Sequence, residues 1–318
     1  NLLLQKKHNM KILGIGNAIV DVICKVDDNF ITQNNLTKST MKLIFDENEF
    51  KNLLRTLKIE KTVSGGSVAN SIVGLSQLGN KVGFIGKISD DEFGLKYEEG
   101  LKKENVEYFY SKKKEELPTG TCLILVTPDS ERTMCTFLGT AGKINENDVY
   151  SNSIKNSEII FLEGYLWDEG EPKKAFDKAI RNANKVAMSL SDQFCVDRHK
   201  SHFLELVKNN LDIIFANEQE IMSLIDTNNF YEVVTFSKQI NKLIIITRGD
   251  KGAIAVKDEE VLECDTQKNL KIIDLTGAGD LFAAGFLHGY VNQLSLKESL
   301  IKGTEMSSKI IQQIGARL

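Results

Sequence analysis

The residues with the clearest chemical promise lie in one short stretch, Asp274-Leu275-Thr276-Gly277-Ala278-Gly279-Asp280. Two glycines and an alanine leave little side chain between the backbone and an approaching anion. The first amides of a helix that begins here lack internal partners, and at the positive end of the helix dipole they can hold phosphate oxygens. Asp280 falls in the first turn of that helix. An aspartate there either caps the helix or takes the proton of a hydroxyl aimed at the phosphate, and the stretch alone leaves both roles open. Its flanks read as a strand, Leu270–Ile273, and a helix, Leu281–Leu287.

Other clusters supply what a phosphoryl transfer needs besides an anion cradle: a metal and a base or orienting group. Ser64-Gly65-Gly66-Ser67-Val68-Ala69-Asn70 opens a helix that ends at Gly79. Its bare backbone admits a ligand, and Asn70 offers a donor and an acceptor from the first turn; the plain alternative is a glycine turn with a serine cap. Asn217 and Glu220, one helical turn apart, suit a hydrated Mg²⁺ held through its waters. Thr247 and Gly249 are placed to meet further phosphate oxygens. Neither GxxxxGK[ST] nor the protein-kinase signature set is present, and Gly14-x-Gly16 lacks the third glycine of a dinucleotide turn. His199 and His202 have no third ligand and read as a solvated helix face. Tyr165 and Trp167 either stack on a flat ligand or pack in the core.

These residues need elements to position them. From residue 155 onward apolar strands alternate with helices, at Glu158–Leu162, Lys185–Leu190, Leu211–Ala216, Lys242–Thr247 and Gly252–Val256. That alternation predicts a mostly parallel sheet covered on both faces, which binds ligands beyond the carboxyl ends of its strands. Three runs, Val106–Tyr110, Thr121–Thr127 and Arg132–Leu138, follow one another without a helix and predict a separate β layer. The expected division is a large α/β domain of residues 11–17, 46–104 and 140–318, a β lid of 18–45 and 105–139, and a tail of 1–10. A net charge of −4 and the absence of a basic block argue against nucleic acid, and no apolar run reaches membrane-spanning length. Five scattered cysteines without a CxxC pair argue against zinc and a disulfide framework and point to a reducing cytoplasm.

The two glycine motifs resemble the signature regions of the ribokinase-type carbohydrate and purine kinases, the PfkB family, over a match that runs from Lys11 onward. Leu275 stands where the family usually has threonine. The resemblance implies a ribokinase-like three-layer α/β sandwich, with a mostly parallel central sheet, helices on both faces and a small β-sheet lid. It implies ATP and Mg²⁺ as cofactors and leaves room for a monovalent cation. Asp280 is then the base, and the amides of Gly277, Ala278, Gly279 and Asp280 form the anion hole. Asn217 and Glu220 belong to an N-x-x-E motif in which Glu220 meets Mg²⁺ through water. Thr247, Gly249, Asp274 and Thr276 line the ATP site, and Arg132 approaches the transferring phosphate when the lid closes. Asn17, Asp21, Gly65, Gly66, Ser67 and Asn70 would hold a small nucleoside or sugar. The three residues between Asn17 and Asp21 resemble the adenosine kinase branch, whereas sugar kinases of the ribokinase branch tend to have one. A kinase for a free sugar or another nucleoside is the alternative within the fold. A non-catalytic nucleoside-binding protein is the alternative outside it, though such a protein needs no base beside an anion hole. The family also implies a monomer or a homodimer paired through its lids.

Overall fold

The computed structural model describes residues 9–167 and 170–318. Residues 1–8 of the expected tail lie outside them. In chain order the strands among the described residues are β1 (Met10–Ile15), β2 (Ile19–Lys25), β3 (Met41–Leu43), β4 (Ile59–Gly65), β5 (Val82–Ile85), β6 (Glu107–Tyr108), β7 (Gly120–Val126), β8 (Arg132–Phe137), β9 (Ser157–Glu163), β10 (Val186–Ser189), β11 (Ile213–Asn217), β12 (Leu243–Thr247), β13 (Ala253–Lys257) and β14 (Glu260–Cys264). Nine form one sheet in the order β14-β13-β12-β11-β10-β9-β1-β5-β6, and five form another, β3-β8-β7-β2-β4. In the large sheet every pairing from β12 to β6 is parallel, and β13 and β14 add an antiparallel edge.

The apolar strands are buried on both faces because successive side chains point to opposite sides of a sheet. Ile159, Phe161 and Ile245 enter one core with helices Ser67–Gln77 and Ala278–Val291, while Ile160, Leu162, Ile244 and Ile246 enter a second core with helices Glu171–Asn182 and Gln193–Asn209. This is the expected three-layer α/β arrangement with a smaller second sheet. The smaller sheet is amphipathic in the same way. Val20, Val22, Leu123, Leu125 and Cys135 join the core, where Phe50 stacks on Phe137 with ring centroids 4.9 Å apart. Asp21 and Arg132 alternate with these residues and so lie on the opposite face, beside Ile23, Ile124 and Met134.

Three assignments change. β4, inside the range 46–104 given to the large unit, pairs antiparallel with β2 in the small sheet. Its first three residues, Ile59-Glu60-Lys61, are exposed, as suits a charged edge strand, and this hid it among loop residues. β6, given to the lid range 105–139, instead pairs parallel with β5; Tyr108 is drawn there by packing against Tyr97. Leu270–Ile273 is not a strand. Ile273 and Asp274 donate their amides to the Ile311 carbonyl, and Ile272 stays 61% exposed because this run walls a cavity instead of joining the sheet.

Candidate active site

Helix Ala278–Val291 starts at Gly277, whose φ of 80° is left-handed and which offers no side-chain cap. A Cβ there would meet the Ala316 Cβ at 2.7 Å. Of the four amides expected in the anion hole, that of Ala278 donates to the Leu275 carbonyl at 3.2 Å. Those of Gly277, Gly279 and Asp280 have no acceptor among the described residues. Asp280 is the third residue of the helix but does not cap it. Its carboxylate reaches the N-terminus of another helix, accepting from Ser67 Oγ at 2.6 Å and from Asn70 Nδ2 at 3.0 Å. The Asp280 carbonyl accepts from Ser71 Oγ at 2.7 Å. Burial raises the Asp280 pKa; the bonds from Asn70 and Ser67 and the Arg317 charge oppose it.

On the other side of Asp280 a second polar group forms around Glu163, at the carboxyl end of β9. Helix Ser67–Gln77 begins at Gly66, with φ 102° and no side-chain cap, and Glu163 serves this end instead, its Oε2 accepting from the Val68 amide at 3.0 Å. Its Oε1 accepts from Asn17 Nδ2 at 3.2 Å. Burial pushes the Glu163 carboxyl up to about 7, with the Asp280 charge adding to the effect and the bonds from Val68 and Asn17 opposing it. Asn17 Oδ1 is buried without a hydrogen-bond partner among the described residues. Asp21 lies against Gly65, where any Cβ would run into its carboxylate. Burial pushes Asp21 up to about 7, against Arg317 first and Arg132 last, with Asp280 adding.

On the cofactor side, the expected residues are engaged with the protein itself. Asn217 and Glu220 form a reciprocal capping box: each side chain accepts the other's amide at 2.8 Å. Burial lifts Glu220 to about 7. Among the described residues no three or more His, Cys, Asp or Glu converge on a metal position, so the donor set offers no protein cage and fits only an ion that keeps its waters. Asp274 and Thr276 are tied to each other, Oδ1 of Asp274 accepting the Thr276 amide and hydroxyl at 3.0 and 2.7 Å. Asp274 Oδ2 accepts from the Gly315 amide and pairs with Arg132 Nη1, both at 2.9 Å. Burial pushes the Asp274 pKa up, but these bonds outweigh it and hold the carboxyl below its ordinary value. Arg132 thus stands at the cradle loop, engaged with a carboxylate.

Two cavities meet at the cradle. One, about 380 Å³, is lined by Ser67, Tyr165, Asn217, Glu220, Gly279 and Asp280. The other, about 580 Å³, is lined by Thr247, Gly249, Leu270, Ile272, Gly279 and Phe282. Asn17, Asp21 and Gly65 line neither. Tyr165, 41% exposed, faces the first cavity, whereas Trp167 is buried, with its ring centroid 4.6 Å from that of His199 and 4.7 Å from that of His202. The two histidines are therefore packing partners of Trp167, not a solvated face. Glu163 and Arg317 were not singled out from the sequence. A carboxylate ending a parallel strand was a usable signal for Glu163; nothing marked Arg317.

The pfkB family carbohydrate kinase model matches residues 15–318, and the chain belongs to that family. It is a kinase. The structure is similar to an adenosine kinase from Sinorhizobium meliloti, 36% identical with a TM-score of 0.87 over 97% of this chain and 96% of that one. It is also similar to a probable sugar kinase protein from Rhizobium etli, 35% identical with a TM-score of 0.88 over 98% and 95% of the two chains. A 5-dehydro-2-deoxygluconokinase of Mesomycoplasma hyopneumoniae is 25% identical over 84% of each chain. Among the described residues no helix is long and apolar enough to cross a membrane.

Proposed function

We propose that the chain transfers the γ-phosphoryl group of ATP to the 5′-hydroxyl of adenosine, giving AMP and ADP. One observation supports the chemistry above the others: the Asp280 carboxylate and the unpartnered amides of Gly277 and Gly279 open into one cavity, so a proton acceptor and an anion cradle address the same reacting group. The acceptor hydroxyl loses its proton to Asp280 as its oxygen bonds to the γ-phosphorus, and the bond to the β,γ-bridging oxygen breaks to release ADP. Burial strengthens Asp280 as a proton acceptor, and Ser67 and Asn70 fix its two oxygens. The amides meet the charge on the γ-phosphoryl oxygens. The larger, more apolar cavity has room for the base of ATP. Glu220 and Asn217 would hold a hydrated Mg²⁺ through its waters, and the ion would neutralise polyphosphate charge.

Asn17 Oδ1, without a hydrogen-bond partner among the described residues, and the buried Asp21 carboxylate suit the two hydroxyls of a ribose. The three-residue spacing between them and the likeness to the Sinorhizobium meliloti enzyme support adenosine. The apolar residues Ile23, Ile124 and Met134 beside Asp21 would cover a purine. A sugar kinase is the second reading, supported by the Rhizobium etli protein. The test is ADP release with ATP and Mg²⁺ across a panel of nucleosides and free sugars. Adenosine is expected to give the highest kcat/KM; a sugar that exceeds it would favour the second reading, and no release with any acceptor would overturn both.

A further inference from the structure

The segment after helix Leu296–Ile310 returns to the site and is tied there at several points. The Gly315 amide donates to Asp274 Oδ2 at 2.9 Å. Arg317 Nε donates to Asn70 Oδ1 at 2.7 Å, and its Nη2 donates to the Ser64 carbonyl. Gln77 Nε2 donates to the Leu318 carbonyl at 3.2 Å. Asn70 is thereby gripped from both ends: its oxygen faces Arg317, so its NH₂ must face Asp280 Oδ2, 3.0 Å away. An amide has no other way to satisfy a cation on one side and a carboxylate on the other.

We propose that Arg317 is a positioning residue for the transfer: it fixes the orientation of the Asn70 amide, which in turn holds the Asp280 carboxylate, and places a fixed positive charge on this side of the pocket. The proposal rests on Asp280 being the base. The surrounding charges are mixed. Asp21 on β2, Tyr97 and Glu104 on and after helix Glu92–Lys103, and Asp280 face Arg317, while Asp280 is also faced by Glu163 on β9 and by Tyr165. In this predominantly acidic pocket Arg317 opposes the upward push on both Asp21 and Asp280. A guanidinium is suited to the task, because its planar fork reaches Asn70 and Ser64 at once and it does not lose its proton.

The test compares Arg317→Gln and Arg317→Lys with the wild type by pH profiles of kcat and kcat/KM and by thermal melting. Arg317→Gln should move the acid limb of kcat/KM upward by about one pH unit, as expected when an opposite charge beside a carboxylate is lost. It should also lower kcat more than it raises the acceptor KM. Arg317→Lys should restore the position of the limb, because the charge returns, while kcat stays below wild type, because a lysine cannot reproduce the fork. If Arg317→Gln does not fold, the Lys variant carries the test through that split. An unmoved acid limb and unchanged kcat in the folded variants, with only a lower melting temperature, would overturn the proposal. Failure of the base assignment itself has a different signature: Asp280→Asn would stay active whatever Arg317 does.

Discussion

Two helices meet at this site, and both start from an uncapped glycine with positive φ, yet their ends are treated in opposite ways. At Gly66 the protein fills the position itself: Glu163 from β9 accepts the Val68 amide. At Gly277 the Ala278 amide donates to the neighbouring Leu275 carbonyl, and the amides of Gly277, Gly279 and Asp280 have no acceptor among the described residues. Similar local backbone therefore yields two functions. In the proposed reaction the first end, closed by a carboxylate that also holds Asn17, would serve the neutral, hydroxyl-bearing acceptor. The second, left electropositive, would receive the phosphate in that reaction. Asp280 joins them, because it belongs to the second helix while its carboxylate bonds to the first.

The largest effect should come from cutting that join. Asp280→Asn removes the proton acceptor while keeping the shape, and kcat should fall roughly 10²–10⁴-fold in an ADP-release assay. Next is the open end. A Cβ at Gly279 would meet no protein atom within 4 Å, so Gly279→Val should fold normally and fill the space an anion needs. Its kcat/KM for ATP should fall roughly 10²–10³-fold, the scale for losing an oxyanion donor, with the melting temperature near wild type. A large loss of stability would instead make Gly279 a structural residue.

The closed end should respond the other way round. Glu163→Ala strands the Val68 amide and the Asn17 side chain, and urea unfolding should show a loss of about 1–3 kcal/mol. The last effect is a pH slope. Asp21, Glu163 and Glu220 start from ordinary values of 3.8, 4.5 and 4.5 and are all pushed up to about 7 by burial. Between those limits the folded chain holds more protons than the unfolded one, so these groups make stability fall as pH rises from about 4 to about 7, and the fall levels off above that. Glu163→Gln should make this slope shallower in melts of the ligand-free protein. A slope that rises through the window would contradict the burial argument.

The sequence disclosed what depends on local pattern. Apolar strands such as Ile159–Leu162 and Leu243–Ile246 announce a sheet buried on both faces, and the glycine turns announce exposed backbone. It was less informative where residues answer to distant partners. Leu270–Ile273 is apolar because it walls a cavity, which in sequence looks the same as joining a sheet. Even locally one spacing can serve two ends: Asn217 and Glu220 have the spacing of a capping box as well as that of a metal motif, and one oxygen of each accepts the other's amide. Arg132 could be placed on its strand, but its pairing with Asp274 crosses from one sheet to the loop beside the other. Arg317 lies 247 positions from the asparagine it holds, a distance no local pattern spans.

If the two helix ends divide binding from transfer, with Asp280 serving the transfer, one substitution separates the two. Calorimetric titration of adenosine into Asp280→Asn and wild-type protein, with AMP formation followed in the same preparations, tests it directly. Adenosine affinities should lie within a few-fold of each other, with AMP formation lost in the variant. Parallel loss of binding and turnover would make Asp280 a structural support for the acceptor pocket and would contradict the account.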